Sequence, residues 1–194
     1  MIPGLTIDID SSGNIFVAGY TEGPLDGNTN AGSSDIFLTK WNANGTKAWT
    51  KQWGTTGIDY ARGLAVDAGG NIFVTGHTAA ALDNNISYGN TDIFLTKWNA
   101  DGTKSWTKQW GTGENDVGFG ISIANDGNLF ISGHTYGSLD NNQYVGLADI
   151  MVAKLSPGGV KIWTSQWGTV DTNYSEAVTV DSTGKIYACG TTGG

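Results

Sequence analysis

The sequence predicts an all-β protein built from β-propeller blades, and three features of the chain indicate this fold. First, the segment Asp35–Trp41 returns as Asp92–Trp98 and, with changes, as Asp149–Leu155, so the chain repeats every 57 residues. Second, four turn glycines keep the same interval: Gly13, Gly70, Gly127 and Gly184. Third, short runs rich in β-branched and aromatic residues are bounded by Gly, Asn and Asp, as strands and tight turns require. A fixed period of this length is typical of repeat architectures such as propellers.

Each repeat contains four segments with the composition of strands, and the second repeat shows them clearly. The sequence places them at 63–67, 72–78, 92–99 and 104–110. The short turns at 68–71 and 100–103 contain Gly-Asn and Asp-Gly pairs, which accept positive φ at low cost and favour hairpins. A longer loop, 79–91, joins the second strand to the third. This arrangement predicts one four-stranded antiparallel sheet per repeat.

The third strand of the repeat predicts that each sheet is covered on both sides. Residues 93–98 are apolar or amphipathic on both faces, whereas a strand with one wet face alternates more cleanly. A small sheet packed between two similar neighbours is a propeller blade. A β-helix would need a shorter coil and no regular hairpin turns, so the pattern favours the propeller.

The repeated motifs resemble those of a known family. These are Gly-Asn-Ile-Phe-Val-x-Gly-x-Thr at 70–78, Leu-Asp at 82–83, the strand Asp92–Trp98, and Gln-Trp-Gly-Thr at 109–112. Together they resemble the bacterial "seven-bladed β-propeller" (SBBP) repeats over the whole chain. The resemblance implies propeller blades and an extracellular or cell-surface location in a prokaryote. It implies no particular reaction.

The repeat boundaries divide the 194 residues into a single array of about three and a half blades. The predicted blades are 1–54, 55–111 and 112–168, and 169–194 forms the inner half of a fourth. The pattern begins and ends inside a repeat, which is expected of a piece of a longer array or of a subunit completed by copies of itself. An unpaired edge at 186–189 is expected to pair with another chain. Such pairing would give a closed ring or an open filament.

Composition excludes several classes of partner. The net charge of −8 argues against nucleic acid and anionic membrane surfaces, which attract basic proteins. No apolar run approaches the ~20 residues of a membrane-spanning helix, so membrane insertion is not expected. The single cysteine, Cys189, excludes an internal disulfide. We expect it to be a small buried residue of a strand.

The long loops after the second strands carry fixed polar residues, and three interpretations remain open for them: loop framing, calcium binding and direct contact with a ligand. Side-chain oxygens can frame a loop by accepting hydrogen bonds from nearby backbone amides. They can also bind Ca²⁺, which takes six to eight oxygen ligands, and each blade would then hold one ion. The candidate calcium ligands recur in three sets: Asp26, Asn28 and Asp35; Asp83, Asn85 and Asp92; Asp140, Asn142 and Asp149. No cofactor is required by any motif in the chain.

Between the fixed positions the loops vary, which is typical of a surface that contacts different ligands. The variable residues Asn30, Ser87, Tyr88 and Tyr144 are candidates for shallow glycan-binding sites. The chain contains no nucleophile elbow, phosphate loop, zinc spacing or acidic dyad. Near-identical blades favour repeated binding over one asymmetric catalytic centre. The sequence therefore predicts a non-enzymatic structural or interaction protein that associates with itself, and a multivalent carbohydrate-binding module is the alternative.

Two further sets of residues have structural interpretations. His77 and His134 occupy equivalent positions without metal-binding partners nearby in the sequence, so we expect a hydrogen bond at each strand end. The tryptophans of the third and fourth strands are expected in the core between blades.

Overall fold

The computed structural model describes residues 6–193, which form fourteen strands and two single 3₁₀ turns. The first blade contains β1 (Thr6–Ile9), β2 (Ile15–Thr21), β3 (Asp35–Trp41) and β4 (Lys47–Trp53). The second contains β5 (Asp59–Val66), β6 (Ile72–Thr78), β7 (Asp92–Trp98) and β8 (Lys104–Trp110). The third contains β9 (Asp116–Ile123), β10 (Leu129–Thr135), β11 (Asp149–Leu155) and β12 (Lys161–Trp167). The last two strands are β13 (Asn173–Val180) and β14 (Ile186–Thr192), and the 3₁₀ turns span Leu82–Asn84 and Leu139–Asn141.

The strands form four separate antiparallel sheets in chain order. Three sheets have four strands each, and the fourth contains only β13 and β14. Second and third strands pair over seven residues in all three complete blades. Isolated parallel bridges such as Ser34–Ile58 and Thr91–Asn115 connect one sheet to the next. The prediction of four-stranded propeller blades, about three and a half per chain, is confirmed.

The core lies between the blades, and single strands serve two cores at once. On β6, Ile72 and Val74 pack into the cluster shared by the first and second blades, whereas Phe73 packs into the cluster shared by the second and third. On β7, Phe94 packs into the cluster of the first and second blades, and Leu95 packs into the cluster of the second and third. Both faces of the middle blade are therefore covered, as the apolar third strand predicts. Each fully buried Phe or Leu side chain stabilises the fold by roughly 1.5–3 kcal/mol.

Tight turns fix the register of the hairpins. Between β7 and β8, the amide of Asn99 donates to the carbonyl oxygen of Thr103 at 2.9 Å. The amide of Gly102 donates to the carbonyl of Asn99, also at 2.9 Å, and Gly102 has a φ of +81°. A residue without a side chain is favoured at this positive φ, which explains the Asp-Gly pair in the turn.

The first strand of the second blade differs from the sequence prediction. β5 begins at Asp59, four residues before the predicted start at 63, and the added part contains a bulge at Arg62. The bulge interrupts the alternation on which the prediction relied, and a buried aspartate at a strand start has low strand propensity.

The expectation that Cys189 is buried is wrong. Cys189 is a free, exposed cysteine on β14, and every residue of that strand is exposed. The described residues contribute no third strand that would pair with β14. Cys189 is therefore exposed, although its equivalents in the complete blades are buried. Within residues 6–193, no helix has the length and apolar character needed to cross a membrane.

Candidate functional site

The long loop of each blade is tied to the fourth strand by an aspartate. In the second blade, Lys104 Nζ lies 2.7 Å from both carboxylate oxygens of Asp83, and Thr107 Oγ1 donates to the same carboxylate at 2.5 Å. Asp83 has a φ of +50°, which turns the carboxylate towards the sheet. The ion pair recurs in the other two blades as Lys47–Asp26 and Lys161–Asp140, both at 2.6 Å. In the first blade, hydrogen bonds from Lys47 and then Thr50 hold the pKa of Asp26 below its usual value.

The asparagine that recurs in the loop of each complete blade acts as a hydrogen-bond donor. Asn85 Nδ2 donates to the carbonyl oxygens of Leu82 at 2.7 Å and Thr107 at 3.3 Å. Asn28 and Asn142 make the same pairs of contacts in their blades. These side chains therefore close the loop onto its own blade.

The second aspartate that recurs in each complete blade is fully buried at the start of the third strand. Asp92 Oδ2 accepts hydrogen bonds at 2.8 Å from Gln109 Nε2 and from the amide of Tyr88. Asp35 and Asp149 make equivalent contacts with Gln52 and Gln166. The other carboxylate oxygen, Oδ1, has no hydrogen-bond partner in the described part of any of the three blades.

The candidate calcium ligands thus have separate protein partners. The first aspartate of each set pairs with a lysine, the asparagine presents its amide donors to carbonyl groups, and the second aspartate bonds to a glutamine. Among residues 6–193, no group of three or more His, Cys, Asp or Glu side chains has an arrangement suited to a metal ion. The contacts fit the loop-framing interpretation, and calcium binding stays a prediction.

The four candidate glycan-contact residues lie on three different loops. Asn30 donates to the carbonyl of Gly32 and accepts from Gln52 Nε2 at 3.1 Å, so its amide serves the loop itself. Tyr144 donates its hydroxyl to the carbonyl of Leu147 at 2.7 Å. Ser87 and Tyr88 are adjacent and exposed, and half of the Tyr88 side chain surface is accessible. Glycan binding by these residues stays a prediction.

The expected hydrogen bonds of the two histidines are not formed. His77 and His134 are buried, and Nδ1 of each has no partner within residues 6–193. The His77 ring instead contacts Tyr60 edge-on at 5.2 Å, and the His134 ring contacts Tyr174 at 4.4 Å. The expectation was wrong because each ring packs against a tyrosine of an innermost strand, Tyr60 of β5 for His77 and Tyr174 of β13 for His134. Packing against a ring does not provide a hydrogen-bond partner for Nδ1.

Within residues 6–193, one face of the array is uncovered, and the two complete junctions show how an equivalent face is covered. Trp53 and Trp110, at the ends of β4 and β8, are 7% and 8% exposed, whereas the equivalent Trp167 on β12 is 45% exposed. Trp53 is covered by Trp98 of the next blade, with ring centroids 5.0 Å apart. Among the described residues, no outer strands follow β14, so nothing equivalent covers Trp167.

We call this surface the open face and define it by Val152, Trp163, Trp167 and the strand β14. A cavity of about 300 Å³ lies between Trp163, Trp167 and Ile186. Ile162 on β12 and Tyr187 on β14 are further apolar residues of these strands, and each is more than half exposed. Trp53, Trp98 and Trp110 are therefore core residues at the two inner junctions, as predicted, whereas Trp163 and Trp167 are surface residues at the open face.

The fold and this surface define a β-propeller repeat array. The family model described as "SBBP: Beta-propeller repeat" matches residues 5–26 and 48–82, which confirms the family prediction. Over these two segments the chain is similar to the SBBP repeat.

One characterised protein and two solved structures are similar to this chain. The regulatory protein FlaEY of Caulobacter vibrioides is 28% identical over 143 residues, which cover 66% of this chain and 15% of that protein. A solved protein of unknown function from Bacteroides caccae has a TM-score of 0.53 and 12% identity, covering 96% of this chain and 53% of its own. At that identity the likeness shows the fold alone. A luciferin-regenerating enzyme has a TM-score of 0.48 and 14% identity, covering 94% of this chain and 52% of its own.

Proposed function

We propose that this chain is a non-enzymatic structural and interaction module, located outside the cell or on its surface, that associates with further copies through the open face. The observation that carries the proposal is the exposure of Trp167, at a position that is buried in both complete junctions. Contiguous exposed apolar surface marks interaction sites in soluble proteins. The open face combines such a surface with a free strand edge, and both favour pairing with another polypeptide.

The two inner junctions indicate the chemistry of the segment that fits the open face. At the first junction, β7 pairs with β6 and places Trp98 on Trp53, while Lys104 Nζ lies 5.8 Å from the Trp53 ring centroid. At the second junction, Lys161 takes the same position over Trp110. A partner therefore offers a strand with apolar residues on both faces, followed by a lysine-bearing strand.

The equivalence of the blades supports a role without catalysis. The loop aspartates, asparagines and glutamines make the same contacts three times, which fits a repeated structural role. The net charge of −8 and the family support an extracellular setting without nucleic acid or membrane as partners. Neither a cofactor nor Ca²⁺ is needed for this role.

Light scattering in solution tests the proposal. We expect masses at multiples of the 20.4 kDa chain, either a discrete oligomer or a broad series of larger species. The variant Trp167→Glu is expected to shift the protein to a monomer, because a charge cannot be buried at the junction. The control is Ile86→Glu, since Ile86 is 67% exposed on a loop of the second blade. A wild-type monomer at high concentration, or an oligomer unaffected by Trp167→Glu, would contradict the proposal.

Multivalent glycan binding is a second candidate, favoured by the exposed Tyr88 ring on the long-loop face. Aromatic rings on loops provide stacking surfaces for sugar rings. A glycan array with the wild type and with Tyr88→Ala and Tyr144→Ala tests it. Reproducible binding that both variants lose would support this function, and absence of binding would exclude it for the glycans used.

A further inference from the structure

The innermost strand of each of the last three sheets contains one bulged residue. Arg62 in β5, Phe119 in β9 and Glu176 in β13 have no partner in the strand ladder. They occupy equivalent positions 57 residues apart, and bulges re-aim side chains beside functional sites. Whereas the fixed loop aspartates and asparagines are identical in the three complete blades, these three positions offer a cation, an aromatic ring and a carboxylate. The repeat therefore varies its chemistry along its innermost strands.

Small residues bring the bulges close together. A Cβ atom on Gly63 would lie 2.3 Å from the carbonyl oxygen of Phe119, and one on Gly120 would lie 2.7 Å from the amide nitrogen of Val178. Only glycine permits this approach of neighbouring blades. As a result, Arg62 Cζ lies 5.4 Å from the centroid of the Phe119 ring.

A cavity of about 490 Å³ lies between the second and third of these bulges. Phe119, His134, Tyr174, Ser175 and Glu176 line it. Its volume is in the range of small-molecule sites, and two aromatic rings with one carboxylate are a typical lining for such sites. The Tyr174 hydroxyl is fixed at 2.9 Å from the hydroxyl of Tyr136, so the ring is held in place.

Two polar groups of the cavity lack protein partners. His134 is 7% exposed, and its Nδ1 makes no hydrogen bond to any described residue. Burial, together with the charge of Arg62, lowers the pKa of His134 to about 4, so the ring is neutral at pH 7. The Glu176 carboxylate is exposed and is not part of any ion pair found within residues 6–193. The exposed Glu176 carboxylate is therefore available to pair with a cationic ligand.

We propose that this cavity binds a small aromatic amine. The ring lies against Phe119 and Tyr174 and beside the neutral His134 ring, and the ammonium group pairs with the Glu176 carboxylate. Aromatic faces attract cations and stack with other rings. The Arg62 guanidinium also lies over Phe119, 5.4 Å from the ring centroid, so the ammonium group lies at the Glu176 end of the cavity.

The two histidines make a direct test by NMR. Phenethylamine and phenylacetate share a ring and a chain length and differ in the sign of their charge. We expect phenethylamine to shift the ring signals of His134 saturably and to leave those of His77 unchanged, because only His134 lines the cavity. We expect no saturable shift with phenylacetate. No response to phenethylamine, or an equal response to both compounds, would overturn the proposal.

Variants separate binding in the cavity from nonspecific attraction of a cation. Glu176→Gln, at an exposed position, is expected to bind phenethylamine about two- to fivefold more weakly, and Phe119→Leu similarly, through loss of the charge and of the ring face. The matched control is Glu114→Gln, which removes another exposed carboxylate and is expected to change nothing. Trp167→Glu is also expected to bind normally, so failure of self-association would not affect this result. Wild-type affinity in Glu176→Gln would exclude the assigned role of that residue.

Discussion

Trp53 of the first blade and Trp98 of the second meet edge to face, with ring centroids 5.0 Å apart and ring planes at 60°. Both rings are almost fully buried, and Lys104 Nζ lies 5.7 Å from the centroid of Trp98. Because the two tryptophans belong to different sheets, their contact is part of what fixes one blade against the next. The second junction has Leu155 in place of Trp98, buried in the same cluster as Trp110.

Removal of Trp98 tests how much this junction contributes to stability. We expect Trp98→Ala to lower the free energy of unfolding by about 3–5 kcal/mol, since it leaves a cavity between two sheets. The control is Trp41→Ala, because Trp41 occupies the equivalent position of the first blade but is 37% exposed. There we expect a loss of about 1 kcal/mol. Urea unfolding measures both, and equal losses would show that the junction has no special role.

A second prediction concerns close backbone contact inside a blade. A Cβ atom on Gly76 would lie 1.8 Å from the carbonyl oxygen of Tyr60, and the same contact recurs at Gly133 with Val117. The obstacle is backbone in a paired strand, so it cannot move aside. We expect Gly76→Ala to destabilise the protein by more than about 3 kcal/mol or to prevent folding.

The control for this prediction is Gly113→Ala, at a loop position where a Cβ atom meets nothing within 4 Å. It should stay within about 0.5 kcal/mol of the wild type. Thermal unfolding followed by circular dichroism compares the three proteins. A folded Gly76→Ala variant with wild-type stability would show that the inner strands have room to separate.

The buried carboxylate of Asp59 is expected to make stability depend on pH. Burial raises the pKa of Asp59, and the neighbouring Asp35 raises it further, while Thr78 and Thr55 donate hydrogen bonds to the same carboxylate. The native state therefore holds this proton to a higher pH than the unfolded chain, whose value is near 3.8. The resulting contribution to stability is complete below that value and is lost as pH rises through the pKa of the folded state.

Asp59→Asn should remove this decline, and the chain offers a precedent because Asn173 occupies the equivalent position of the last sheet. Urea unfolding between about pH 4 and pH 7 should show a smaller loss of stability with rising pH in the variant than in the wild type. Asp101→Asn is a control, because a hydrogen bond from Thr103 lowers the pKa of Asp101. The contribution of Asp101 to stability therefore changes with pH in the opposite direction to that of Asp59. Identical pH profiles for the wild type and Asp59→Asn would contradict the prediction.

The strands and turns could be predicted from the sequence because their signals are local. β7 is the predicted third strand without its last residue, and the turn at Gly102 follows from the conformational freedom of one residue. The contacts between blades could not be predicted in this way. The environments of Cys189 and His134 depend on which strand lies next to them, and that neighbour is far away in the sequence or absent from the described residues.

The candidate cavity had a signal in the sequence that strand patterns do not reveal. Arg62, Phe119 and Glu176 are equivalent residues that differ in chemistry within otherwise similar repeats. Each also lies between small residues, such as Ala61 and Gly63, which permit the bulge and the close approach of blades. A comparison of the copies for unlike residues, in addition to identical ones, would have indicated these positions.

The last prediction concerns calcium at the long loops. Lys104 Nζ bonds to both carboxylate oxygens of Asp83 at 2.7 Å, so a Ca²⁺ ion would have to displace an ammonium group. We therefore expect no saturable heat in calorimetry of the wild type at about 1 mM Ca²⁺, the range of weak extracellular sites. In Lys104→Met the Asp83 carboxylate loses its partner, so we expect the affinity for Ca²⁺ to be higher in this variant than in the wild type. Saturable binding by the wild type that Asp83→Asn abolishes would instead establish a calcium site at this loop.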